Sequence, residues 1–226
     1  MTSLFFSIPD IMEPLFQSLN LYWSMENVTQ TANLTRNGTN HTDLIDSNTN
    51  VVSQPVKSSE GKLHFGIINE SCIINLRHAT CPGGITMSFW LRLFKTRPTE
   101  PVKILGFGQP HENKSGFLVM EREDDLVIRM ITYKYRCEIE LDVVDGAWTH
   151  ITFSFRIPRL LKGYRNGEQN VSNNVCVVGP NAIEFDQPLT SGAAKATLDE
   201  VMIWFHQLQR DEIFGLVVNK IGTNDC

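Results

Sequence analysis

Hydrophobic and polar residues alternate most cleanly over residues 85–93. Ile85, Met87, Phe89, Leu91 and Leu93 fall on one face of an extended segment, and Thr86, Ser88, Trp90 and Arg92 on the other. The same period of two returns at Glu138 to Val143, with Ile139, Leu141 and Val143 inward. It returns again at Thr149 to Phe155, with Ile151, Phe153 and Phe155 on one face. Further strands are expected at Leu21-Tyr22-Trp23, Val102 to Phe107, Gly116 to Met120, Leu126 to Tyr133 and Thr197 to Phe205. Turn signals separate them: Gly108 and Pro110, the acidic run Glu123-Asp124-Asp125, Asp145-Gly146, and Asn166-Gly167 after Lys162-Gly163-Tyr164-Arg165.

One helix is expected near the end. Asp211 and Glu212 suit its first turn, Ile213, Leu216, Val217 and Ile221 share a face, Lys220 suits the last turn, and Gly222 can follow as the C′ residue. Many short strands at regular spacing with one peripheral helix predict an all-β fold. Two packed antiparallel sheets in a jelly-roll sandwich fit best, and a closed barrel is the alternative. The organisation follows: residues 1–19 are unassigned, residues 20–222 form one sandwich, and residues 223–226 are a tail. Residues 27–58, rich in Asn, Thr and Ser, read as a polar loop.

Composition narrows the setting. Of the 226 residues, 42% are hydrophobic, and the formal net charge is −5 with no basic block, so nucleic-acid binding has no electrostatic footprint. No run of apolar residues is long enough to span a membrane as a helix. Seven Asn-x-Ser/Thr sequons are present, at Asn27, Asn33, Asn37, Asn40, Asn69, Asn113 and Asn170. Such a density points to the secretory pathway and an extracellular or cell-surface location. The N-terminus is an imperfect secretory signal. Leu4-Phe5-Phe6 begins an apolar core, but Pro9, Asp10 and Glu13 interrupt it, so the expectation is a truncated or misassigned start.

Five cysteines, Cys72, Cys81, Cys137, Cys176 and Cys226, form no CxxC pair and have no accompanying His cluster, which argues against zinc. In an oxidising compartment four cysteines allow three pairings. Cys72–Cys81 and Cys137–Cys176 are favoured, leaving Cys226 to a partner elsewhere.

Several segments, in order, carry a resemblance. They are Leu21-Tyr22-Trp23-Ser24-Met25-Glu26-Asn27, Gly84-Ile85-Thr86-Met87-Ser88-Phe89-Trp90-Leu91, Gly146-Ala147-Trp148-Thr149-His150-Ile151, Tyr164-Arg165-Asn166-Gly167, and Leu198-Asp199-Glu200-Val201-Met202-Ile203-Trp204 followed by Asp211-Glu212-Ile213. Together they resemble the laminin-G-like and pentraxin-like domains of the concanavalin-A-like superfamily. With Cys72–Cys81 just ahead of the Ser88-Phe89-Trp90 strand, the chain looks most like the module at the extracellular end of adhesion G-protein-coupled receptors and related animal surface proteins. In this reading Trp148 plugs the sandwich end, and Asp199 and Glu200 precede the last buried strand.

The resemblance implies a binding module, not a catalyst, with an extracellular glycan or protein as ligand and no obligatory cofactor. Calcium is a conditional addition, for which Glu123, Asp124 and Asp125 offer hard oxygen ligands. A secreted calcium-dependent pentraxin-type lectin is the first alternative. The superfamily also holds glycoside hydrolases, and Glu140-Leu141-Asp142-Val143-Val144-Asp145 is one residue type short of their Glu-x-Asp-x-x-Glu strand motif, which needs two suitably spaced carboxylates. His150 is expected to be a packed residue, Ser88 has no nucleophile-elbow context, and Trp90 is a candidate either for stacking on a ligand or for burial under a covering segment.

Overall fold

The computed structural model describes Leu15, Ser18 and residues 21–23, 56–57, 63–66, 83–132, 135–156, 160–170, 172–178 and 189–221. Its strands in chain order are β1 (Leu21–Trp23), β2 (Val56–Lys57), β3 (Leu63–Gly66), β4 (Ile85–Leu93), β5 (Val102–Gly106), β6 (Gly116–Arg122), β7 (Asp125–Ile131), β8 (Tyr135–Leu141), β9 (Trp148–Arg156), β10 (Leu160–Arg165), β11 (Glu168–Gln169), β12 (Ser172–Val178), β13 (Leu189–Ser191) and β14 (Ala196–Trp204). The helix α1 spans Arg210–Ile221.

Among the described residues these strands make two antiparallel sheets. One is six-stranded, in the order β1-β14-β4-β9-β10-β11, and the other eight-stranded, in the order β12-β8-β7-β6-β5-β13-β3-β2. The period-2 pattern sets the register. Ile85, Met87 and Phe89 of β4 stand opposite Phe155, Phe153 and Ile151 of β9, so the apolar rows of both strands point the same way. They meet Phe117, Val119, Ile128, Ile139 and Leu141 of the other sheet in one continuous core. Edge-to-face contacts link Phe107 to Phe117 and Phe117 to Phe153 across it. This is a sandwich, and the jelly-roll reading holds.

Local chemistry explains the elements. Asn166 and Gly167 turn β10 into β11 with φ angles of 51° and 79°, a conformation that Asn tolerates and Gly adopts at no steric cost. At Gly163 an added Cβ would lie 2.6 Å from Ile139 Cδ1. The missing side chain is what lets β10 lie close over β8. Helix α1 opens with Glu212 Oε2 accepting the Gln209 backbone N–H, half of a capping box, and with Asp211 and Glu212 against the positive helix end.

Some expectations need correction at their edges. Val56–Lys57 is a strand at the end of the segment read as polar loop. β7 ends at Ile131, and β8 starts at Tyr135 and stops at Leu141, although Val143 beyond it is still buried. Asp199 and Glu200 lie within β14, not before it. A bulge between Asp199 and Met202 inserts one residue, Glu200, whose φ is 52°. The bulge keeps Leu198 and Val201 in the main core while Met202 faces outward. β12 was not expected as a strand. It adds to the edge of the eight-stranded sheet beside β8, and Cys176 stands opposite Cys137 in that ladder.

Cys137 and Cys176 form a disulfide across a sequence separation of 39. Cys72, Cys81 and Cys226 lie outside the described residues, as do Gly222 and the sequons at Asn27, Asn33, Asn37, Asn40 and Asn69. Among the described residues no helix is long and apolar enough to cross a membrane.

Closing a loop of this length restricts the unfolded chain by about 4 kcal/mol in the chain-entropy description. Cys137→Ser/Cys176→Ser is therefore expected to lower stability by roughly 2–4 kcal/mol, read from a lower urea midpoint with a somewhat steeper slope, because the unfolded chain without the bridge is more expanded. A midpoint equal to the parent's would show that the bridge adds nothing to this edge.

Candidate functional site

The outward face of the six-stranded sheet divides into two halves. Near the β4 start it is covered. Met202, Trp204 and Tyr164 form a second core with Leu15, Leu208, Ile213 and Leu216, so α1 lies over this end. The Trp204 indole is fully buried, and its Nε1–H donates to the Leu15 carbonyl at 3.1 Å. Burial pushes the Tyr164 phenol up from its usual pKa, against the opposing pull of its hydrogen bond with Ser154. The Thr86 hydroxyl donates to the His206 carbonyl and accepts the Leu208 N–H, which ties the chain entering α1 to β4.

Between the halves lies a buried polar row. Ser88 Oγ is 2.8 Å from His150 Nε2, and the Thr152 hydroxyl donates to Ser88 Oγ at 3.2 Å. A Ser–His contact invites a catalytic reading, but both residues have 0% exposure. The pair joins β4 to β9 instead. His150 is thus a packed residue, and its ring meets Trp90 edge-on at 5.1 Å. Trp90 itself is half-buried.

Beyond Trp90 the sheet face opens. Arg92 of β4 stands between Thr197 of β14 and Trp148 of β9 in the ladder, and all three are exposed. Trp148 is 45% exposed, which corrects the expectation that it plugs the sandwich end. The reason is register: Trp148 pairs with the outward Arg92, while its neighbour Thr149 pairs with the inward Leu91. Phe94, two residues past Arg92 and 39% exposed, continues the same face. The Arg92 guanidinium lies over the Phe94 ring, 5.1 Å from its centroid, and Arg92 Nε–H donates to the Gly146 carbonyl at 2.7 Å. The Phe94 ring in turn lies against Gly146. Val144, 63% exposed, borders the strip.

Acidic groups frame this end and are already engaged. Asp142 faces Lys95 at 3.8 Å and Arg165 at 3.5 Å, and Asp145 Oδ1 accepts the Lys95 N–H at 2.8 Å. Glu140 pairs with Arg122 on the outward face of the eight-stranded sheet. The three carboxylates of the hydrolase-like motif therefore do not converge on one groove. Leu141 and Val143, between them, point into the core.

The remaining sequence candidates lie apart. Glu123 and Asp124 form the exposed β6–β7 turn, and Asp124 is paired with Arg97 at 2.7 Å, with Asp125 opening β7. Among the described residues no group of three or more His, Cys, Asp or Glu side chains is arranged to hold a metal ion. Asn113 is exposed in the β5–β6 loop, at the end opposite Trp148. There Lys114, 2.9 Å from Glu112, holds the Glu112 carboxyl below its ordinary pKa. Asn170, half-buried, follows the edge strand β11 and donates its N–H to the Gly163 carbonyl. The sequence reading missed Arg92 and Phe94 as site residues. The signal was present, because Phe94 extends the outward row Trp90, Arg92 by the same period of two.

Comparison with known proteins agrees with this architecture. A laminin-G-type family model described as the concanavalin A-like lectin/glucanases superfamily matches residues 68–214, more than half of the chain. No curated protein matches it significantly. Among solved structures, the binding domain of botulinum neurotoxin serotype D is similar with a TM-score of 0.62 at 14% identity, over 93% of this chain and 53% of that one. The receptor-binding domain of a botulinum neurotoxin C/D mosaic serotype gives 0.53 at 14% identity, over 71% of this chain and 40% of that one. A structure of botulinum neurotoxin type C, a toxin that depends on interaction with two ganglioside molecules to get into cells, gives 0.51 at 15% identity, over 70% of this chain and 39% of that one. At such identities the likeness is one of fold alone. This chain spans about two fifths to half the length of those structures.

Removing the Ser88 hydroxyl leaves buried polar groups of His150 and Thr152 short of a partner. Ser88→Ala is expected to cost about 1–3 kcal/mol, measured by denaturant unfolding, while leaving the exposed strip and any ligand binding intact. Loss of binding at unchanged stability would instead give Ser88 a functional part.

Proposed function

We propose that this chain, which belongs to the concanavalin A-like lectin/glucanases superfamily, is an extracellular recognition domain of a cell-surface receptor, of the kind found in adhesion receptors, that binds a glycan or protein ligand. The observation that carries the reading is the open half of the six-stranded sheet. It presents Trp148, Phe94 and Arg92 to solvent on a rigid ladder instead of burying them. Exposed aromatics are costly to leave in water, and a strip of them rimmed by charged groups is the usual form of a recognition surface.

Other features support the same setting. The sequons and the Cys137–Cys176 bridge suit a protein matured in an oxidising, glycosylating compartment. The type C toxin of similar fold interacts with gangliosides, which favours a glycan among the ligand classes. The reading assigns no reaction. Ser88 and His150 are sealed, and the carboxylates at Glu140, Asp142 and Asp145 each have a structural partner.

A glycan array probed with the glycosylated chain tests this. Binding to a restricted set of glycans, unchanged by a calcium chelator, is the expected result. Binding abolished by the chelator would favour the calcium-dependent lectin. Turnover of any bound glycan, lost in Glu140→Gln, would overturn the non-catalytic reading.

A further inference from the structure

The open strip has a specific chemical character, and the inference drawn from it rests on the recognition reading above. Arg92 is exposed and held in place. Its Nε–H is fixed on the Gly146 carbonyl, and its guanidinium plane is seated against Phe94. Arg92 forms no ion pair with any described residue, whereas nearby Lys95 and Arg165 share Asp142. Asp142 is shared by Lys95 and Arg165, and Asp145 accepts the Lys95 backbone N–H, so neither carboxylate is bonded to Arg92.

A guanidinium held this way has lost much of its rotamer freedom before any ligand arrives. Its remaining N–H groups form a fork that fits a carboxylate with two parallel hydrogen bonds. Directly across the ladder is the exposed Trp148 indole, at the Cβ spacing of roughly 5 Å usual for opposed residues. Thr197, on the other side of Arg92, adds an exposed hydroxyl able to donate or accept.

We propose that Arg92, Trp148 and Thr197 form a subsite for a carboxylate-bearing saccharide unit. The carboxylate is taken by the Arg92 fork, the ring face lies on Trp148, and Thr197 hydrogen-bonds a ring hydroxyl. Phe94 acts as a positioning residue, because it holds the guanidinium plane and faces Gly146. A neutral sugar would gain the stacking and leave the fork empty. A phosphate or sulfate ester would offer the charge with tetrahedral rather than planar oxygens.

The test is titration of the folded chain with sialyllactose, a glucuronate disaccharide, lactose 3-sulfate and lactose, followed by two-dimensional NMR and tryptophan fluorescence. The expected result is binding of one of the two carboxylate sugars at least about tenfold tighter than lactose, weakening as salt rises from low to high ionic strength. Whichever of the two binds identifies the source of the carboxylate. Arg92→Gln and Trp148→Ala should each weaken that binding at least tenfold, and Arg92→Lys should recover only part of the loss, because an ammonium cannot form the fork. Thermal melts of each variant equal to the parent's show that the fold is intact, as expected for exposed side chains.

Equal binding of lactose and the acidic sugars overturns the proposal, as does tighter binding of the sulfate. Unchanged affinity in both Arg92→Gln and Trp148→Ala moves recognition to another surface and leaves the recognition reading standing. Absence of binding to all four sugars, together with a glycan array that does bind, overturns the subsite alone. An array with no binding at all removes the glycan reading as well.

Discussion

The structure depends on how the outward face of β4, β9 and β14 is hidden. The inward face of these strands is satisfied by the second sheet, as in any sandwich. The outward face begins with Trp204, Met202 and Tyr164, which a bare sheet would leave in water. Helix α1 and the chain at Leu15 solve this by laying Ile213, Leu216, Leu208 and Leu15 over that end, with the Trp204 N–H satisfied by the Leu15 carbonyl. Burying an indole is worth several kcal/mol only if its N–H finds a partner, and that bond supplies one. It also joins residues 189 positions apart, so Leu15 is held on the sheet by β14.

Covering one half of the face defines the other. Helix α1 packs over Met202, Trp204 and Tyr164, while Arg92, Phe94 and Trp148 toward the other end of the face stay exposed. Under its edge the sheet switches from apolar to hydrogen-bonded contacts, at Ser88, His150 and Thr152. Past that row, side chains that would be core in a fully covered sheet meet solvent. Arg92 is held by the Gly146 carbonyl and the Phe94 ring, and Trp148 stands opposite it in the ladder. A surface of this kind loses little conformational entropy on binding, and stacking and a fixed guanidinium are most effective under that condition.

Much of this was legible in the sequence, and the reasons are physical. β4 and β9 each bury one complete face, so their period of two was unambiguous and gave both strand and orientation. The Asn166-Gly167 turn and the acidic start of α1 follow from local backbone chemistry alone. β12 was hidden because Ser172-Asn173-Asn174 reads as loop, and its strand state comes from non-local pairing with β8. The Glu200 bulge was invisible for a similar reason: one extra residue makes sense only against the register of β4. Trp148 was misplaced because a tryptophan after a turn is usually core. Its exposure is decided by parity, and the pairing of Thr149 with Leu91 sets that parity.

Tryptophan oxidation with N-bromosuccinimide, read residue by residue by mass spectrometry, addresses the half-covered sheet most directly. Trp148, 45% exposed, is expected to be modified in the native protein at low reagent, while Trp204, at 0%, is protected until the whole domain unfolds. Modification of Trp204 at the rate of Trp148 in the folded protein would mean that α1 does not cover the sheet, and the division of its outer face into a sealed and an open half would be wrong.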